Sequence, residues 1–82
     1  MFAKLFGSAT DQVLVKIDTN DNCAPEVRFY CEPEGLGVCS TAVLFKENEE
    51  GWNRAEKLFG DCTEETARRM VQPIFDAIPE SD

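Results

Sequence analysis

Residues 26–45 read EVRFYCEPEGLGVCSTAVLF, two alternating runs that are joined by a short loop. Apolar side chains recur at every second position of both runs, which is the period of half-buried β-strands. The loop at residues 33–37 contains two glycines, and glycine accepts the positive φ angles that tight turns need. We therefore predict a β-hairpin with strands at residues 26–32 and 38–45.

The length of this loop also predicts the register of the hairpin. A symmetric closure gives four cross-strand pairs: Glu32 with Val38, Cys31 with Cys39, Phe29 with Thr41 and Val27 with Val43. Residues 12–18 form another alternating run with apolar side chains at the odd positions. Because a shift of one residue would turn every apolar side chain to the other face, one buried face made of odd positions is consistent across the three strands.

The period changes to that of α-helices in the second half of the chain. Asn48 suits the N-cap of a first helix and Gly60 suits its C-terminal end. Asp61 or Thr63 suits the N-cap of a second helix, whose apolar stripe runs from Ala67 to Ile78. Pro73 interrupts that stripe, and we expect the helix to kink or break there because proline lacks a backbone donor.

The order of these elements predicts an α+β fold. We expect a three-stranded antiparallel meander followed by two helices that pack on its odd face, a β-β-β-α-α two-layer sandwich. Residues 2–6 are interpreted as a short N-terminal helical turn, and residues 79–82 as a flexible tail. The chain of 82 residues is then a single domain over residues 1–82.

The charge of the chain excludes some classes of partner. Sixteen acidic and eight basic side chains give a net charge of −8, and no segment forms a basic patch. Binding to nucleic acid or to an anionic membrane depends on Lys and Arg side chains that neutralise phosphates, so we expect neither. A basic protein partner or a second copy of the chain fits better, although a net negative charge also serves solubility.

The sequence carries no constellation of side chains that is typical of catalysis. Histidine is absent, and no nucleophile elbow, phosphate-binding loop or dinucleotide-binding motif occurs. Residues 18–26 place oxygen side chains at alternate positions, but Cys23 stands where a calcium loop needs Gly and Phe29 where it needs Glu. We interpret that segment as a turn, and we predict a protein that is not an enzyme and holds no cofactor or metal.

Four cysteines occur without a C-x-x-C motif or a neighbouring His: Cys23, Cys31, Cys39 and Cys62. The N-terminal residues are too short an apolar run for a signal peptide, so we expect a cytoplasmic protein with reduced thiols that behave as small apolar side chains. The alternative is a redox or metal sensor that uses Cys31 and Cys39, with Cys23 and Cys62 in support.

The even positions of the predicted sheet form a face of mixed character, too polar for a core and too apolar for a purely solvated surface. We predict that this face is a contact surface centred on Leu14, Arg28, Tyr30 and Leu44, because aromatic and Arg side chains are enriched at the centres of interfaces. The sequence therefore favours a non-catalytic protein-interaction module that dimerises or binds a basic partner.

Overall fold

An antiparallel sheet and two helices make up the computed structural model, which describes residues 2–8 and 11–78. The four strands form a meander in the order β1-β2-β3-β4, so the α+β class and the two helices agree with the prediction. The elements are β1 (Phe2–Ser8), β2 (Asp11–Thr19), β3 (Pro25–Cys31), β4 (Cys39–Leu44), α1 (Glu49–Asp61) and α2 (Glu64–Ala77).

The prediction of three strands and of a helical turn at residues 2–6 is wrong, because this segment is the edge strand β1. Phe2, Leu5 and Phe6 have the spacing of one helix face, which explains the error. A single helical turn is unstable by itself, since nucleation fixes several residues for one hydrogen bond. Pairing along β2 from Phe2 to Ser8 gives the same segment a full ladder of backbone hydrogen bonds.

The predicted register of the hairpin is confirmed. Cys31 pairs with Cys39, and the two further ladder pairs named above follow in the same register. The Glu32–Val38 pair is not part of the ladder, because β3 ends at Cys31 and β4 begins at Cys39. The odd face is the buried one. Its core members on β2 and β3 are Val13, Val15, Ile17, Val27, Phe29 and Cys31.

The two helices cover this odd face. Ala55, Ala67 and Val71 are buried against the sheet, and small side chains at these positions let the helices approach it closely. Asn48 is the N-cap of α1, since its side chain accepts a hydrogen bond from the backbone N–H of Gly51 at 2.7 Å. The helix layer thus starts where the sequence predicts it to start.

Two helix boundaries differ in detail from the prediction. The first helix continues through Gly60 to Asp61, and Cys62 leaves the helix in an extended conformation. Thr63, the second of the two predicted caps, is the N-cap of α2, where its Oγ1 accepts from the N–H of Thr66. Asp61 remains in α1, so it cannot adopt the extended N-cap conformation.

Of the two outcomes predicted at Pro73, a kink or a break, the break is wrong, because α2 runs without interruption from Glu64 to Ala77. Proline removes the hydrogen bond to the carbonyl of Arg69, but Pro73 and Arg69 are both exposed, on a side of the helix where solvent can serve an unpaired carbonyl. The predicted tail at residues 79–82 lies outside the described residues. Among the helices of the described residues, none has the length and apolarity needed to cross a membrane.

Candidate functional site

Three large side chains form a continuous row across the outer face of the sheet. Leu5 of β1 pairs with Leu14 of β2, and Leu14 pairs with Tyr30 of β3. Ser40 of β4 ends the row on the far side of Tyr30. Cross-strand partners lie about 5 Å apart, so the row is one contiguous apolar surface.

A groove of about 670 Å³ lies above this row at one end of the sheet. The loop between β3 and β4 forms its wall, and the row forms its floor. The volume falls within the range of sites that take a small ligand or a few side chains of a peptide. The lining residues that matter here are Leu5, Leu14, Tyr30, Glu32, Glu34 and Val38.

The wall of the groove has a defined shape. Gly35 and Gly37 adopt positive φ angles of 82° and 75°, which L side chains rarely adopt. The backbone N–H of Leu36 donates to the carbonyl oxygen of Pro33 at 3.1 Å, and Pro33 is itself buried. The buried Pro33 anchors the start of the loop beside the sheet, where the loop forms one side of the groove.

The rim of the groove is acidic. Glu32 and Glu34 are both exposed, and they are the charged residues among its described lining. An apolar floor below two carboxylates favours a ligand that has an apolar group next to a positive charge. An anionic ligand would meet repulsion at the same place.

The predicted residue Arg28 lies on the outer face but beside the groove rather than in it. Its guanidinium donates to the carboxylate of Glu26 at 3.1 Å and to Ser40 Oγ at 3.0 Å. Lys16 is its cross-strand neighbour on β2, and Asp18 faces Glu26 one row further on. The charges of this part of the sheet therefore balance locally, unlike those of the whole chain.

The predicted residue Leu44 lies apart from the other three. It is 63% exposed on the edge strand β4, opposite Glu26, and it lines a separate hollow of about 230 Å³ beside the start of α1. The structure thus brings Leu14 and Tyr30 together, places Arg28 next to them and leaves Leu44 at the edge.

Sequence reasoning missed two apolar residues of the groove, Leu5 and Val38, and did not assign its acidic rim to the site. The sequence pattern predicts a helical turn at Leu5, so it does not indicate that Leu5 lies beside Leu14. It predicts a strand at Val38, but Val38 ends the loop and is 69% exposed. The signal available for Leu5 is Gly7, a glycine within β1 whose φ of 94° is not that of a helix.

The thiols lie mostly on the other side of the sheet. Cys31 and Cys39 are cross-strand partners on the odd face, and Cys39 Sγ lies 3.9 Å from the carbonyl oxygen of Gly37. Burial raises the pKa of the Cys31 thiol, and the neighbouring Cys39 raises it further. A raised pKa disfavours the thiolate that oxidation or metal binding requires.

The remaining two cysteines, Cys62 and Cys23, differ in solvent exposure. Cys62 is buried between the helices, where burial raises its pKa and Lys4 opposes that rise. Cys23 is exposed in the turn between β2 and β3 and has a φ of 63°. Among residues 2–8 and 11–78, no group of three or more Cys, Asp or Glu side chains is arranged to hold a metal ion.

The segment with alternating oxygen side chains is a turn whose oxygens serve its own backbone. Asn20 Oδ1 accepts from the N–H of Asn22 at 2.8 Å and from the N–H of Ala24 at 3.1 Å. Asp18 Oδ1 accepts from the N–H of Thr19 at 2.7 Å. These hydrogen bonds are typical of Asx turns, in which the side chain mimics a backbone turn.

Comparisons with protein-family models, with curated proteins and with solved structures find no match to this chain.

Proposed function

We propose that the protein is a non-catalytic interaction domain that binds a segment of a partner protein in the groove on its outer sheet face. The observation that carries the proposal is the continuous row of Leu5, Leu14 and Tyr30 beneath the acidic loop. Apolar and aromatic side chains on a preformed floor with polar groups at the rim are typical of binding sites. We also propose that the protein is cytoplasmic. Its four free thiols support this location, because the cytoplasm keeps thiols reduced.

The partner segment has an apolar side chain flanked by Lys or Arg. Its apolar side chain fills the space above Leu14 and Tyr30, and its positive charge lies near Glu32 and Glu34. Charged rims of this kind mainly raise the association rate and the specificity, whereas the buried apolar contact supplies most of the affinity.

The test uses three series of short peptides that differ around one central Leu, Phe or Trp. In one series the flanking residues are Lys and Arg, in the second Ser and Gly, and in the third Asp and Glu. Binding is followed by amide chemical-shift changes of the isotope-labelled protein. We expect the basic series to bind tightest and to shift the amides of Leu5, Leu14, Tyr30 and Val38.

The variant Tyr30→Ala should weaken binding of the basic series by about tenfold or more, as hot-spot aromatic residues do. Phe75→Ala is the matched control, since Phe75 is an exposed aromatic residue on α2, away from the groove. Shifts confined to the helix layer, or equal losses in both variants, would show that the groove is not the binding site.

A further inference from the structure

The edge strand β4 carries no charge, and neither do the two residues that flank it. Residues 38–45 read VCSTAVLF and contain no Pro, no Gly and no charged side chain. Protected sheet edges usually carry Lys, Pro or a bulge that prevents pairing with another chain. This edge is therefore open to a further strand, although the whole chain has a net charge of −8.

The hydrogen-bond pattern shows which backbone groups of β4 face outwards. Phe45 N–H donates to the carbonyl oxygen of Pro25 at 3.0 Å, so this pair is a hydrogen-bonded pair of the antiparallel ladder. Because hydrogen-bonded and non-hydrogen-bonded pairs alternate, the backbone groups of Ser40, Ala42 and Leu44 point away from β3. Within the described residues, the chain supplies no backbone partner for them.

We propose that β4 pairs antiparallel with β4 of a second copy, with the two-fold axis at Ala42, so that two four-stranded sheets become one continuous sheet. The spacing of the outward groups is self-complementary. Ala42 then pairs with Ala42 of the second copy, and Ser40 pairs with Leu44 on either side of the axis. An isologous contact of this kind closes on itself and stops at a dimer.

The side chains at this edge complement one another in the same register. Val38 and Leu44 are 69% and 63% exposed, and both lie on the outer face, since Val38 lines the groove and Leu44 is an even position of β4. Across the two-fold axis each Leu44 becomes a diagonal neighbour of Val38, within reach of a long side chain. Lys46 meets Val38 of the other copy, so no like charges are opposed.

This arrangement also extends the groove. Val38 forms part of its wall, so Leu44 of the second copy lies beside the groove that contains Tyr30. In the dimer, Leu44 of one copy therefore lies next to the contact surface formed by Leu14 and Tyr30 of the other copy. Within one chain these residues are separated. The proposal for β4 does not depend on peptide binding, because self-association is measured without any peptide.

Sedimentation equilibrium over a range of protein concentrations tests the proposal. We expect the wild-type mass to rise towards twice the 9.2 kDa of one chain. Ala42→Lys and Ala42→Glu each place like charges opposite each other, and each should weaken association by about fivefold or more. An equimolar mixture of the two variants should recover association, because Lys then faces Glu.

A control variant and an amide-exchange measurement test whether association takes place at β4. Ala3→Glu is the matched control, since Ala3 is an exposed alanine on the opposite edge strand and should leave the dimer intact. Amide exchange at Ser40, Ala42 and Leu44 should slow as the concentration rises, while Thr41 and Val43 are protected throughout. Circular dichroism confirms that each variant is folded.

A wild-type protein that remains a monomer up to about 1 mM, the Kd of a marginal complex, would overturn the proposal and leave this edge to an extended segment of another protein. A dimer that survives unchanged in both Ala42→Lys and Ala42→Glu would also overturn it, because the two-fold axis would then lie elsewhere.

Discussion

Lys4 Nζ donates to the carbonyl oxygen of Gly60 at 3.0 Å, so the first strand holds the C-terminal end of the first helix. The same ammonium group lies 5.1 Å from the ring centroid of Phe59. A cation at this position satisfies a carbonyl that has no partner within the helix and meets the negative end of the helix dipole. Removal of the charge should therefore weaken the attachment of α1 to β1.

We expect Lys4→Met to lower the free energy of unfolding by about 1 kcal/mol. Urea denaturation followed by the fluorescence of Trp52, the single tryptophan of the chain, measures the change. Lys57→Met is the matched control, because Lys57 pairs with Asp61 on an exposed surface and should contribute less than about 0.5 kcal/mol. Equal losses of unfolding free energy in Lys4→Met and Lys57→Met would mean that the contact between Lys4 and Gly60 stabilises the fold no more than an exposed ion pair does.

Gly7 lies near the end of β1, where it pairs with Gln12 of β2. Its φ is 94°, and a Cβ atom at this position would run into the carbonyl oxygen of Asp11 and approach the guanidinium of Arg68. We expect Gly7→Ala to destabilise the protein by about 2–4 kcal/mol, because backbone strain and steric overlap add. Gly35→Ala, at a φ of 82° with open space around it, should cost about 1 kcal/mol. A smaller loss at Gly7 than at Gly35 in thermal unfolding would contradict this account.

Phe29 and Tyr30 are adjacent residues on opposite faces of β3. Phe29 is 0% exposed in the core, whereas Tyr30 lines the groove. We expect Phe29→Ala to lower the free energy of unfolding by about 3–5 kcal/mol and Tyr30→Ala by about 1 kcal/mol or less. Chemical denaturation of both variants measures this difference, and a large loss in Tyr30→Ala would show that the two faces are assigned the wrong way round.

The four thiols should react with iodoacetamide in a definite order. Cys23 is exposed and should react first, followed by the partly buried Cys39. Cys31 and Cys62 should react last, because both are buried and burial raises the pKa of each. Mass spectrometry of peptides after timed quenching measures the rates. Fast labelling of Cys31 in the folded protein would favour the alternative of a redox sensor.

The same raised pKa values predict a dependence of stability on pH. A thiol whose pKa is raised on folding stabilises the folded state below its ordinary value of 9.0, and that contribution is lost as the pH rises further. We expect the free energy of unfolding to fall as the pH rises above about 9 in the wild type, and to fall less in Cys62→Ala. A profile of Cys62→Ala that falls as steeply as that of the wild type would contradict this account.

The sequence predicted the hairpin of β3 and β4 well because its determinants are local. The alternation around Phe29 and the two glycines of the loop admit one register, and a slip would expose the core. The N-caps of the helices could be predicted for a similar reason, since Asn48 and Thr63 act within three residues of themselves.

The first strand could not be predicted, because a distant segment determines its conformation. The spacing of Phe2, Leu5 and Phe6 suits a helix, and β1 is a strand because the free edge of β2 lies beside it. The groove could not be predicted for the same reason, since its floor includes Leu5 of β1. The helix through Pro73 shows a further limit, because the cost of proline depends on the exposure of Arg69 four residues earlier.

Each strand of the meander pairs with the strand next to it in the sequence, so the sheet requires no contact that closes a long loop. During synthesis, β1 to β4 leave the ribosome before α1 and α2, and the hairpins form within microseconds. At about 5–20 residues per second, the helices follow only after a few seconds. For that time the face of Val15, Val27 and Phe29 has no cover, and we expect the nascent chain to be a substrate for the chaperones that bind exposed apolar strands.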